Sequence, residues 1–374
     1  HVIGAGVMGG DIAAWCALRG LTASVHDQSA DALARTRARA HVLFQRRLKS
    51  PRRVQGAMDR LRMDLAGDGA RRADVIIEAI VERADAKTEL LESLQRVARD
   101  DALLATNTSS IPLESLCDSL AAPGRLVGLH FFNPVARMEL VEIVRDDRTD
   151  AAVIDRACAF ARAINRLPIA VKSRPGFLVN RILMPYLLEA VALLGEGASR
   201  ASVDRAATDF GMPLGPIALA DTVGLDVCLH VAQNLTMSYG GEVPQALREK
   251  VEAGHLGKKS GRRFYRWSND KPRAGNARRA RKIADLQDRL IFRFLNEAVA
   301  CLREGIVERA DDLDAGMIFG AGFAPFRGGP MRYIADQGPA AMRQQLAALH
   351  DRHGDRFTPD AGWDELDLGG MKVE

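Results

Sequence analysis

Three glycines in six residues, Gly4-Ala5-Gly6-Val7-Met8-Gly9, stand between the apolar pair Val2-Ile3 and a helix-forming stretch from Asp11 to Arg19. A strand that turns through glycines straight into a helix brings bare backbone N–H groups to a helix N-terminus, which is a ready site for an anion. Gly4 permits the tight turn, Gly6 lets the backbone approach a pyrophosphate beside Val7 and Met8, and Gly9 lets the helix pack on the strand. The second apolar run ends at Asp27, roughly 20 residues on, where a carboxylate can accept both hydroxyls of a ribose. The same carboxylate repels a 2′-phosphate, so the pattern favours NAD over NADP.

The glycine turn opens a longer alternation of short apolar runs with helical stretches, which specifies parallel strands joined by crossover helices. Strands are expected at Val2-Ile3, Thr22 to His26, Val75 to Ala79, Leu103 to Thr106, Leu126 to Phe131, Met138 to Val144 and Ile169 to Val171. Past Arg174-Pro175-Gly176 the alternation stops and long apolar-periodic helices begin with Phe177 to Leu194. That helical part repeats itself at an offset of 108 residues: Leu178, Arg181, Leu187, Glu189, Val191, Leu194, Glu196, Asp204 and Ala207 recur as Leu286, Arg289, Leu295, Glu297, Val299, Leu302, Glu304, Asp312 and Ala315. The expected fold class is α/β plus all-α: a Rossmann-type dinucleotide-binding domain over 1–173, followed by a tandem-repeated all-helical domain. Its first copy covers 174–270 and its second 283–374, with a basic, solvated linker over 271–282.

Lys and Arg number 52 against 48 Asp and Glu, a net charge of +4 that is too small to imply nucleic acid. No stretch approaches the roughly 18 to 20 uncharged apolar residues of a membrane helix, so no membrane insertion is expected. The five cysteines, Cys16, Cys117, Cys158, Cys228 and Cys301, are far apart and show no metal-ligand spacing, which suits reduced thiols of a cytoplasmic protein. The sequence opens inside a strand without a Met, so a longer parent polypeptide is expected.

His130 ends an apolar run in Leu129-His130-Phe131-Phe132-Asn133-Pro134, and Glu142 lies on the next run. A turn at Asn133-Pro134 brings them together, and an imidazole held by a carboxylate can take a hydroxyl proton near neutral pH. On the residues alone, a strand histidine is more often a satisfied core residue. Ser109 reads first as a helix N-cap before Ile111-Pro112, and Glu82 with Lys87 as a capped, solvated helix start.

In order along the chain stand GAGVMGGDIA, VIIEAIVE, ATNTSS, GLHFFNPV, ELVEIV, PGFLVNRI and GKKSGRRFY. Together these resemble the L-3-hydroxyacyl-CoA dehydrogenase family, and specifically the dehydrogenase part of the multifunctional fatty-acid oxidation enzyme. The resemblance runs from residue 1 to about 267, and the helical repeat matches the multifunctional form. It implies NAD-dependent oxidation of an (S)-3-hydroxyacyl-CoA, with His130 as base and Glu142 orienting it. It implies that Ser109 and Asn180 hold the reacting oxygen, either Ser109 or Ser110 serving, and that Glu82, Lys87 and Asn107 lie around the nicotinamide ribose. The Arg-rich stretch from Arg35 to Arg53 stands where the family carries an arm that meets CoA, and Arg46, Arg47, Lys49, Arg52 and Arg53 could pair with its phosphates, although an exposed basic face is the commoner reading of such a stretch. The expected partners are an acyl-CoA substrate, an enoyl-CoA hydratase domain N-terminal in the full chain, and a thiolase subunit. Where the β-hydroxyacid dehydrogenases carry a lysine base this chain has Asn180, which disfavours that class. An inactive scaffold in a fatty-oxidation complex is the remaining alternative, and the retained His130 and Glu142 speak against it.

Overall fold

Residues 1–257, 264–268, 271–273 and 283–366 are described by the computed structural model, and the chain divides into two units, His1–Arg174 and Pro175–Glu374. The first unit runs β1 Val2–Ile3, α1 Val7–Leu18, β2 Ala23–His26, α2 Ala30–Leu48, α3 Pro51–Arg60, β3 Leu61–Asp64, β4 Val75–Glu78, α4 Ala84–Val97, β5 Leu103–Thr106, α5 Leu113–Cys117, β6 Leu126–Phe131, β7 Leu140–Arg145, α6 Ala151–Ala163 and β8 Leu167–Lys172. The strands form one sheet in the order β3-β2-β1-β4-β5-β6-β7-β8. Helices cover both faces, so β5 and β6 are buried along their whole length and need no polar alternation. One face packs on Ile12, Trp15, Phe44 and Ala157, the other on Leu91, Leu94, Leu113 and Leu116.

Two features depart from the pattern read in the sequence. The sheet has an eighth strand, β3, which pairs in parallel with β2 and occupies the edge. And β7 runs antiparallel to β6, with His130 directly opposite Glu142, before β8 resumes the parallel direction. The neighbours β1 and β4 mark the switch in strand order, so the crevice beyond their carboxyl ends is where a fold of this kind takes a ligand.

The second unit contains α7 Val179–Gly195, α8 Arg200–Phe210, α9 Pro216–Val223, α10 Leu225–Tyr239, α11 Gln245–Glu252, a two-stranded ribbon of β9 Arg266–Ser268 and β10 Lys271–Arg273, then α12 Leu286–Arg303, α13 Ala310–Ala321, α14 Pro330–Gln337, α15 Pro339–His353 and α16 Gly362–Glu365. Both copies of the repeat lie in this unit, and α7 of the first packs along α12 of the second. The packing is reciprocal. Arg181 on α7 donates to Glu297 at 2.7 Å and to Glu304 at 2.5 and 2.9 Å. Its counterpart Arg289 on α12 donates to Glu189 at 2.7 Å and to Glu196 at 2.6 Å from each of two nitrogens. Both guanidinium groups are buried, and their carboxylate partners hold Arg181 in its charged form against the cost of desolvation. Leu187, Val191, Leu295 and Val299 are buried with them, whereas Leu194 and Leu302 are only half covered.

The repeat drifts out of its 108-residue offset after α12. The loop into α13 is longer by two residues than the loop into α8, so the residue that does for the second copy what Asp204 does for the first is Asp314, not Asp312. Asp204 accepts from the N–H groups of Ile217 and Ala218 at the start of α9, and Asp314 from those of Met331 and Arg332 at the start of α14. The expected linker also needs correcting, because Lys271–Arg273 is a strand paired antiparallel with Arg266–Ser268. Its remainder, 274–282, lies outside the described residues, as do residues 258–263 of the GKKSGRRFY motif.

Candidate active site

The glycine turn leaves β1 at its carboxyl end. Gly4 has φ +104°, and a Cβ there would sit 2.4 Å from the Ala79 carbonyl oxygen, so β1 and the strand beside it approach too closely for any side chain. A Cβ on Gly9 would meet the Gly4 oxygen at 2.0 Å, which brings α1 down onto the turn. At Gly6 there is open space instead: the exposed backbone of Gly6 and Val7 faces outward, Met8 is half-buried, and no carboxylate occupies the first turn of α1. A phosphate fits this open space, since it would meet N–H groups and the positive end of a helix whose first turn carries no carboxylate. Asp27 follows β2, where its carboxylate accepts from the N–H groups of Ala5 and Ser29, each at 2.8 Å. It thereby stands at the rim of the glycine turn.

The ends of β4 and β5 carry a polar network. Glu78 is fully buried, and its carboxylate accepts from Lys87 Nζ at 2.6 Å, Ile80 N at 2.7 Å and Thr106 Oγ1 at 2.5 Å. Lys87 is 1% exposed and also reaches Glu82 at 3.3 Å. Glu82 Oε1 gathers Thr108 Oγ1, the N–H groups of Ser109 and Ser110, and both serine hydroxyls. Burial opposes its ionisation, yet Lys87 and these donors outweigh that and hold the Glu82 carboxyl below its ordinary range. Neither bland reading of these residues fits the geometry. Lys87 lies in the first turn of α4 but its side chain is buried, and Ser109 caps no helix, since α5 begins at Leu113 without a side-chain cap. Glu78 was missed in the sequence: within Val75-Ile76-Ile77-Glu78 it reads as the end of a core strand, and only its pairing with Lys87 gives it meaning.

His130 stands at the carboxyl end of β6, and its Nδ1 lies 2.6 Å from Glu142 Oε2 across the antiparallel register, both side chains buried. An ionised carboxylate there requires Nδ1 to donate, which makes Nε2 the nitrogen able to accept a proton. Asn107, just past β5, accepts from Phe131 N at 2.9 Å and ties the end of β6 to the neighbouring loop. The carboxyl ends of β1, β2, β4, β5 and β6 thus bring together Gly4, Gly6, Val7, Met8, Gly9, Asp27, Glu82, Lys87, Asn107, Ser109 and His130, with Glu142 facing in from β7. Asn180 belongs to the other unit, half-buried in the first turn of α7.

The family model for the NAD-binding domain of 3-hydroxyacyl-CoA dehydrogenase matches residues 1–174, and the model for the C-terminal domain of the same enzyme matches 176–267. The chain belongs to the 3-hydroxyacyl-CoA dehydrogenase family. It therefore carries the NAD-binding domain of an NAD-dependent dehydrogenase, on a Rossmann-type fold followed by helices. It is 35% identical to the (S)-3-hydroxybutyryl-CoA dehydrogenase of Ralstonia eutropha, with 72% of this chain and 98% of that one covered at a TM-score of 0.68. A 3-hydroxybutyryl-CoA dehydrogenase from Escherichia coli K12 matches 97% of both chains at 26% identity and a TM-score of 0.87. The fatty acid oxidation complex subunit alpha of Shewanella loihica is 34% identical over 96% of this chain and 53% of its own length. The chain thus spans about half the length of the curated relatives it matches.

Proposed function

We propose that this chain oxidises the 3-hydroxyl of an (S)-3-hydroxyacyl-CoA to the 3-ketone in fatty-acid β-oxidation. The observation that carries the reading is the buried His130–Glu142 pair, at the carboxyl end of the parallel strands where the glycine turn also lies. His130 Nε2 takes the hydroxyl proton, and the Glu142 carboxylate stabilises the imidazolium that forms. NAD, when bound, accepts the hydride that leaves C3. Gly4, Gly6, Val7, Met8 and Gly9 would hold its pyrophosphate and Asp27 its adenine-side ribose, while Glu82, Lys87 and Asn107 would serve the nicotinamide end. Ser109 holds the oxygen that becomes the ketone, its loop pinned by Glu82, and the same role falls to Asn180 by its place in the family motif. Relatives named as subunits of a fatty acid oxidation complex support an assembly with partner subunits, which we take to include a hydratase domain and a thiolase. Cysteine usage favours a cytoplasmic setting; among the described residues no helix is long and apolar enough to cross a membrane and no cluster could hold a metal ion. The direct test is NADH formation from (S)- and (R)-3-hydroxyacyl-CoA across acyl lengths. Turnover of the (S) series is expected, and no NADH from any of them would end the proposal.

Asp27 should set the choice of nucleotide. A 2′-phosphate loses the hydrogen bonds that ribose hydroxyls make to the carboxylate and adds like-charge repulsion, so NADPH should bind roughly tenfold or more weakly than NADH. Equal dissociation constants in a fluorescence titration would contradict this. In the basic arm, Arg46, Lys49, Arg52 and Arg53 are exposed, and Arg52, Arg53 and Arg60 line a cavity of about 620 Å³. Arg47 instead donates to the Ala136 carbonyl at 2.6 Å. Neutralising Arg52 and Arg53 should raise KM for acyl-CoA and leave acyl-pantetheine unchanged; an unaltered KM for CoA thioesters returns the arm to an ordinary solvated face.

A further inference from the structure

We propose that Trp15 and Arg166 form a brace between α1, the helix that begins at the glycine turn, and the β6–β7 hairpin that carries His130 and Glu142, both acting as positioning residues for the oxidation. The inference deepens the reading of the site given above and rests on it. The ladder between β6 and β7 ends at Phe131 opposite Val141, so residues 132–139 cross from one strand to the other without strand pairing. That turn bears on the chemistry, because the Phe132 ring packs against the His130 ring with their centroids 4.5 Å apart. Two guanidinium groups hold the turn by its carbonyls: Arg166 Nη2 donates to Val135 O at 2.7 Å, and Arg47 Nη2 to Ala136 O at 2.6 Å.

Arg166 makes its bond at a cost. It is 6% exposed, and among the described residues its buried Nε has no hydrogen-bond partner and its guanidinium no carboxylate within ion-pair distance. Burial lowers its pKa to about 10; Glu139 opposes the fall, and Arg19 and Arg47 add to it. An apolar side chain would fill the space without that penalty, but it could not make the contacts the guanidinium makes. The guanidinium lies on the Trp15 indole, 3.7 Å from the ring centroid, while Nη1 and Nη2 reach the carbonyls of Asn165 and Val135. Trp15 supplies the other end of the brace. It stands in the third turn of α1, about 12 Å along the axis from Val7, and its Nε1 donates to Ile164 O at 2.9 Å. Ile164, Asn165 and Arg166 form the connection from α6 into β8, with Asn165 in the left-handed region at φ +56°. The indole thus fixes this connection and carries the guanidinium on its face, and the guanidinium reaches the turn beside His130. A helix whose first turn is assigned to the NAD pyrophosphate is thereby keyed through two side chains to the hairpin that holds the base. Proton and hydride transfer depend on that relative placement, and a slack brace would let Phe132 and His130 drift out of it.

The test uses the whole chain with NAD and an (S)-3-hydroxyacyl-CoA carrying hydrogen or deuterium at C3. Arg166→Met should lower kcat about tenfold and raise the deuterium isotope effect on kcat, while NADH binds at full stoichiometry with an unchanged dissociation constant. Trp15→Phe keeps a ring but loses the N–H, and should lower kcat about threefold; the double variant should be no slower than Arg166→Met alone, since the two residues act as one unit. Arg166→Lys keeps a cation over the indole and should stay within about threefold of the parent. Parental kcat in Arg166→Met overturns the proposal, and so do losses that multiply in the double variant. A lower kcat with fewer NADH sites and an unchanged isotope effect also overturns it, because loss of folded protein gives that result; if Arg166→Met does not fold, Trp15→Phe carries the same readouts. Hydrogen exchange of the substrate-free chain reads the brace without turnover. Amides within 132–139 should exchange about tenfold faster in Arg166→Met, and unchanged exchange there overturns the brace, whereas a parent chain that forms no NADH sinks the reading of the site instead.

Discussion

His130→Gln should lower kcat by about 10² to 10⁴, the usual worth of a positioned general base, while NADH binding stays within experimental error. The glutamine removes the nitrogen that takes the proton and leaves the glycine turn and Asp27 untouched on other strands. Glu142→Gln should fall in the same range for a different reason. A carboxylate 2.6 Å from Nδ1 can only accept, whereas an amide can also donate, and donation to Nδ1 moves the ring proton to Nε2 and disables the base. Steady-state kinetics paired with NADH titration separates the two effects; wild-type turnover in His130→Gln would remove His130 from the mechanism.

The second large effect concerns the helical unit. Arg289 is 1% exposed and answers Glu189 and Glu196, so Arg289→Met leaves carboxylates in a buried interface without their main cation. Breaking such a pair from one side costs about 3 to 5 kcal/mol, and for a unit of this size Tm should fall by roughly 10 °C. Adding Glu189→Gln should recover part of the loss, because Arg356 then faces both Glu189 and Glu196 and the excess negative charge carries much of the penalty. A Tm within a degree or two of the parent would mean that the cross-bridges contribute little. Deleting Leu286–Glu374 exposes the α7 face built from Leu187 and Val191, and size exclusion should find the truncated chain aggregated or newly dimeric.

Sequence pattern located the glycine turn, the interior strands and the His130–Glu142 pair because each rests on a local signal: apolar runs for β5 and β6, and a short turn for the hairpin. β3 escaped because Leu61-Arg62-Met63-Asp64 has no β-branched residue and directly follows α3; pairing with β2, not local preference, makes it a strand. Glu78 escaped for a related reason, since a lone glutamate at the end of an apolar run acquires its role only when Lys87, Thr106 and Ile80 converge on it in space. The register of the repeat could be followed along α7 and α12 but not past the loop, where two extra residues shift Asp312 away from the place Asp204 holds.

The reciprocal bridging of Arg181 and Arg289 places in one polypeptide an association that two identical chains would otherwise have to make on meeting. A homodimer loses such an interface on dilution, and its melting point follows protomer concentration; an interface covalently joined is exempt from mass action. It is also exempt from symmetry. A substitution in a homodimer strikes both sides of the twofold at once, whereas here α7 keeps Asn180 while α12 has Asp288 at the matching place, each half free to change without imposing that change on the other.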